Sequence, residues 1–90
     1  MSSVERDAPI VNPLGMHARP AAEFVKIAGR YRSAISVEKD GMVVNGKSIM
    51  GVMTLAAECG SAIRIRADGD DAEDAVHALE ALVRNGFNES

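Results

Sequence analysis

One histidine stands where a chain could use it as a nucleophile. His17 lies in Leu14-Gly15-Met16-His17-Ala18-Arg19-Pro20-Ala21, between a predicted strand and a predicted helix. Gly15 supplies conformational freedom just before the turn. His17 falls at or near the N-cap, and Pro20 lies in the first helical turn, where a missing N–H costs nothing. The other N–H groups of that turn have no intrahelical acceptor. With the positive end of the helix dipole and the Arg19 guanidinium, they suit an anion. A neutral imidazole keeps one ring-nitrogen lone pair and is nucleophilic near neutral pH. An imidazole inside an anion hole is a candidate carrier of a phosphoryl group. The sequence does not choose between its two nitrogens. Arg19 would either contact the phosphoryl oxygens or pair with a surface carboxylate.

The elements that must hold His17 follow from periodicity. Ala8 to Asn12 reads as a strand with Ile10 and Val11 as its apolar content. Pro9 places it at an edge or at a strand start. Ala18 to about Arg30 is helical, with Ala21, Phe24, Val25 and Ala28 on one stripe. Ala34 to Lys39 alternates, Asp40-Gly41 is a hairpin signal, and Met42 to Asn45 returns. Ser48 can cap a short helix to about Ala56. That helix is apolar on nearly every side: Val52 and Leu55 can serve the core, which leaves Ile49, Met50 and Met53 toward water. Ala62 to Ala67 alternates Ile63, Ile65 and Ala67 with Arg64 and Arg66. The last helix starts at Asp70 or Asp71 as cap and buries Ala72, Ala75, Val76, Leu79, Leu82 and Val83. Gly86 stops it, with Phe87 folding back. The order is βαββαβα. One-sided strands and amphipathic helices predict an α+β fold, an antiparallel sheet with helices on one face and solvent on the other. A ferredoxin-like fold, including an RNA-recognition module, suits the first six elements equally.

Composition narrows the function. Ninety residues make one small domain, expected to span 1–90. The chain is 47% hydrophobic but only 3% aromatic, so the core must be aliphatic. A net charge of −3 and strands without interior aromatics argue against a nucleic-acid partner. Residues 1–50 hold seven Lys/Arg against five Asp/Glu, whereas residues 51–90 hold three against eight. The half with His17 is the basic one, which suits acidic partner surfaces. Cys59 is the only cysteine, and no apolar run could span a bilayer. We expect a cytoplasmic chain without membrane insertion. His17, His77 and Cys59 have no metal-ligand spacing, so neither a metal nor a cofactor is expected; His77 is read as a solvated surface residue. There is no P-loop, and no carboxylate cluster for Mg²⁺ stands beside His17. The phosphoryl group must therefore come from one protein and go to another. That describes a carrier more than an enzyme. A regulatory binder, acting by its phosphorylation state without passing the group on, shares every one of these residues.

Gly15-Met16-His17-Ala18-Arg19-Pro20 resembles the active-site signature of the HPr family, the histidine phosphocarriers of bacterial phosphotransferase systems. Val44-Asn45-Gly46-Lys47-Ser48-Ile49-Met50-Gly51-Val52-Met53 resembles that family's regulatory-serine segment, at the family's separation. The likeness runs from about Ala8 to Phe87. Met16 stands where sugar-branch carriers more often have Leu. With Asn85-Gly86-Phe87-Asn88-Glu89, it resembles the nitrogen-branch paralogues. The resemblance implies an open-faced β-sandwich, a four-stranded antiparallel sheet with three helices on one face. It implies phosphorylation of His17 at Nδ1 by Enzyme I, charged by phosphoenolpyruvate, and transfer to IIA-type proteins. Arg19 would be a phosphoryl contact, with Gly15 and Pro20 shaping the site. Ser48 would be a second phosphorylation site for an HPr kinase/phosphorylase. Ile49, Met50 and Met53 would dock Enzyme I and IIA. A monomer is expected.

Overall fold

The computed structural model describes residues 3–89. Its elements are β1 (Ser3–Pro9), α1 (Ala18–Ala28), β2 (Ala34–Lys39), β3 (Met42–Asn45), α2 (Ile49–Thr54), β4 (Ala62–Asp68) and α3 (Ala72–Arg84), followed by a 3₁₀ turn at Gly86–Asn88. The strands form one antiparallel sheet in the order β1-β4-β2-β3. The helices cover one face of it. α3 lies over β1 and β4, and α1 packs against α2 and α3. No helix among the described residues is long and apolar enough to cross a membrane.

Alternation sets the register. Ile65 of β4 pairs with Arg6 on one side and Val37 on the other, which places Ile63, Ile65 and Ala67 beside Ile35 and Val37 on the covered face. All five are buried. A slip of one residue would turn Arg64 and Arg66 into the core. Between β2 and β3, Asp40 (φ 52°) and Gly41 (φ 84°) both take positive φ, as a two-residue hairpin matched to strand twist requires. The core is aliphatic apart from Phe24 and Phe87. The six α3 residues named from periodicity are all buried.

Three local readings needed correction. The first strand runs over Ser3–Pro9, several residues earlier than Ala8–Asn12. Its inward register holds Val4, Arg6 and Ala8, opposite Ala67, Ile65 and Ile63. Arg6 breaks the apolar alternation that would have revealed it. An edge strand tolerates that, because a long side chain there can reach solvent past the helix. Pro9 ends this edge strand. The short helix stops at Thr54, and Ala56 takes a positive φ of 49°. Asp71 occupies the N-cap position of α3 but makes no side-chain cap. Its carboxylate accepts from the Arg32 N–H at 2.8 Å and the Ser33 N–H at 3.0 Å, and from the Ser33 hydroxyl. The hydroxyl and those backbone donors hold the carboxyl below the usual range. The residue ties the α1–β2 loop to the start of α3.

Candidate functional site

His17 is the N-cap of α1, with φ −86° and ψ −169°. Its side chain makes no capping bond, so it does not consume the N–H groups of the first helical turn. The imidazole is about one-third exposed, at 35%. Pro20 is fully buried in that turn, and Gly15 takes a φ of +68°. A Cβ on Gly15 would lie 2.5 Å from the Ala57 carbonyl oxygen, so glycine is needed for space as well as for φ. The next residue explains the closeness: Met16 N–H donates to that same carbonyl at 2.8 Å. Ile10 N–H donates to Ser61 O at 2.8 Å, and Gly60 N–H donates to Ile10 O at 2.9 Å. The loop after α2 thus cradles the loop that carries His17. Met16, next to His17, is 5% exposed and belongs to the core.

Arg19 is exposed and has no ion pair or side-chain hydrogen bond among the described residues. It lines a cavity of about 350 Å³ with Pro13, Leu14, Phe87, Asn88 and Glu89. The surface-carboxylate reading of Arg19 therefore has no partner here. An unsatisfied guanidinium beside open helical N–H groups is suited to phosphoryl oxygens.

Ser48 caps α2, its Oγ accepting from the Gly51 N–H at 3.0 Å. α2 divides its apolar residues as its pattern predicts. Val52 and Leu55 are buried, while Ile49, Met50 and Met53 are 43%, 76% and 38% exposed. α1, which begins at His17, packs against this helix. His77 is exposed on α3, and Cys59 is exposed with a free thiol.

Four residues at the site were not singled out from sequence. Leu14 and Val11 are 76% and 48% exposed on the loop before His17. An apolar type between Pro13 and Gly15 is the signal for Leu14, whereas Val11 lies in the stretch that periodicity assigns to a strand. Asn12 is 2% exposed, and its Nδ2 donates to Gly15 O at 2.7 Å and to Glu89 Oε1 at 3.0 Å. The other Glu89 oxygen lies 3.0 Å from His17 Nε2. The sequence placed only cations around the imidazole, and folding adds a carboxylate from 72 residues away. No local pattern carries that contact.

Comparisons with known proteins agree with this geometry. Residues 4–85 match the family model described as PTS HPr component phosphorylation site. The phosphocarrier protein HPr of Cupriavidus necator is 44% identical over 86 residues, covering 96% of this chain and 97% of the relative. The crystal structure of HPr from Bacillus anthracis str. Ames superposes with a TM-score of 0.87 at 47% identity, covering 92% of this chain and 99% of that one. An HPr dimer from Thermoanaerobacter tengcongensis superposes at 0.77 with 49% identity, covering 83% and 86%. Sheet order, the histidine at the start of α1 and relatedness over nearly the whole length converge: this chain belongs to the HPr family, the phosphocarriers of the phosphotransferase system.

Proposed function

We propose that this chain, working as a single domain in the cytoplasm, accepts a phosphoryl group on His17 from phospho-Enzyme I and passes it to IIA-type proteins. The carrying observation is a partly exposed imidazole at the N-cap of α1, with the Arg19 guanidinium two residues on and engaged by no ion pair among the described residues. Nucleophilic attack by the ring puts phosphoryl oxygens where the Arg19 guanidinium and open N–H groups favour negative charge. Gly15 and Pro20 fix the backbone that presents the ring. Ile49, Met50 and Met53, joined by Leu14, form the docking surface; methionine adapts to partners of different shape. In this reading the carrier works as a monomer, which sedimentation at assay concentration checks.

Incubation with Enzyme I, phosphoenolpyruvate and separate IIA proteins tests the reading by intact mass. One acid-labile phosphoryl group should appear, map to His17, vanish in His17→Ala and discharge to an IIA protein. Loading that survives in His17→Ala would overturn the assignment. A stable label that no IIA protein removes would favour a regulatory binder.

Ser48 has a second role in this reading, as a substrate of an HPr kinase/phosphorylase. A phosphate there carries a charge of about −1.5 to −2, which suits a helix start but must be desolvated at the rim of an apolar contact. Ser48→Asp should melt no lower than the parent and load His17 more slowly. Parental loading by that variant would leave Ser48 as a cap alone.

A further inference from the structure

We propose that Glu89 is a positioning residue for His17, holding the imidazole as its Nε2–H tautomer and balancing the charge that the ring gains on phosphorylation. This rests on the reading of His17 as the phosphoryl-bearing residue.

The segment after α3 is shaped to deliver this carboxylate. Gly86, Phe87 and Asn88 take consecutive positive φ values of 64°, 58° and 60°. For the two residues with a Cβ, that conformation costs about 1–2 kcal/mol each. Such a turn persists where its surroundings over-determine it. Phe87 supplies one anchor, being 4% exposed in the core. Glu89 supplies the other, with both oxygens engaged: Oε2 lies 3.0 Å from His17 Nε2, and Oε1 accepts from Asn12 Nδ2 at 3.0 Å. Asn12 is itself buried and bonded to Gly15 O. The carboxylate is thus fixed to the loop that presents the histidine, and its side chain is only 17% exposed.

An ionised carboxylate can only accept, so Nε2 must be the protonated nitrogen. In the neutral ring the lone pair then sits on Nδ1. Attack by that lone pair forms the Nδ1–P bond, and the donor–phosphorus bond breaks with its electron pair returning to the donor. No proton needs to move. The ring keeps Nε2–H and gains one formal positive charge, and the hydrogen bond to Glu89 becomes charge-assisted at both ends. Arg19 and Glu89 therefore divide the work: the cation serves the phosphoryl oxygens and the anion serves the ring. They share one cavity wall.

The test uses the full chain labelled with ¹⁵N-histidine, in parental, Glu89→Gln and Glu89→Ala forms. Ring nitrogen shifts of the parent should report Nε2–H as the dominant tautomer of neutral His17. Both variants should shift toward a mixture, because neither offers an acceptor restricted to accepting. Loading from phospho-Enzyme I should fall by roughly tenfold, the worth of one hydrogen bond to a charged group. Melting temperatures should fall only slightly, since Phe87 still anchors the turn and Asn12 keeps its bond to the Gly15 carbonyl. Parental tautomer shifts and loading within about twofold in both variants would overturn the proposal while leaving His17 as the site. A large drop in melting temperature with parental shifts would also overturn it, making Glu89 structural. Loading of the parent at another residue would remove the reading beneath it.

Discussion

The two sides of this molecule use the same cations in opposite ways. On the sheet side, Arg64 donates to Asp7 at 3.0 Å across the β1–β4 pair. Arg66 grips Asp68 through two nitrogens. On α3, Arg84 pairs with Glu80 one turn earlier, and Lys39 reaches Asp40 and Glu58. On the α1 side, Arg19, Lys26, Arg30 and Arg32 have no ion pair among the described residues. Lys47 donates to the Tyr31 carbonyl at 2.7 Å. Arg6 departs from the division: it lies on β1 without an ion pair and donates to the Glu5 carbonyl. Cations paired within the fold cancel their own field, whereas unpaired ones leave it for whatever approaches. The acidic partners expected from the uneven charge thus have one side to meet, and it is the side where α1 begins at His17.

Charge reversal at the unpaired side should show the largest effect. Arg19→Glu should slow loading of His17 by about a hundredfold, the scale of losing one electrostatic contact to a transferring group. Its melting temperature should stay near the parental value, since no contact within the fold is lost. A large melting shift with unchanged loading would erase the contrast at this residue. Met50→Glu comes next. With Met50 76% exposed, the change should leave folding intact and weaken docking to Enzyme I and to IIA proteins by about tenfold, as at an interface hot spot. Unfolding of the variant would place Met50 in the core.

Charges engaged within the fold should respond in stability or not at all. Asp71 is held below the usual carboxyl value of 3.8 by the Ser33 hydroxyl and the Arg32 and Ser33 N–H groups. A depressed carboxyl stabilises the fold above its unfolded value. That contribution is lost as pH falls through the lower folded value. Asp71→Asn should therefore melt lower than the parent at neutral pH and converge with it below pH 3.8, with loading unchanged. Parallel melting curves over the whole acid range would show that the carboxylate charge is not what holds the loop. The smallest effect belongs to Arg64→Ala. Exposed ion pairs contribute little. Loading should stay within about twofold and the melting temperature within about 2 °C of the parent. A marked loss of loading would mean that the sheet face also meets a partner.

Legibility differed between these regions for a physical reason. β4 and α3 announce themselves because each repeats one period for seven residues or more, and burial then follows the period. β1 does not, because Arg6 stands at an inward position and edge strands tolerate such a break. Ser48 was legible as a cap because its acceptor role is served within three residues. Asp71 was legible as an N-cap position, but its carboxylate went to Arg32 and Ser33, which only folding brings near.

By itself, the sequence determined the order of elements, the hairpin at Asp40-Gly41, the division of α2 between Val52 and Met50, and the placing of His17 at the start of a helix. Each of these depends on near neighbours, through periodicity, allowed φ or a missing N–H. Tertiary structure alone decided what surrounds the imidazole. Asn12 and Glu89 are 77 residues apart, and Ala57 meets Met16 through a backbone bond that no side-chain pattern encodes. Hydrogen bonds of that kind depend on where the chain closes in space, and one-dimensional periodicity carries no information about closure.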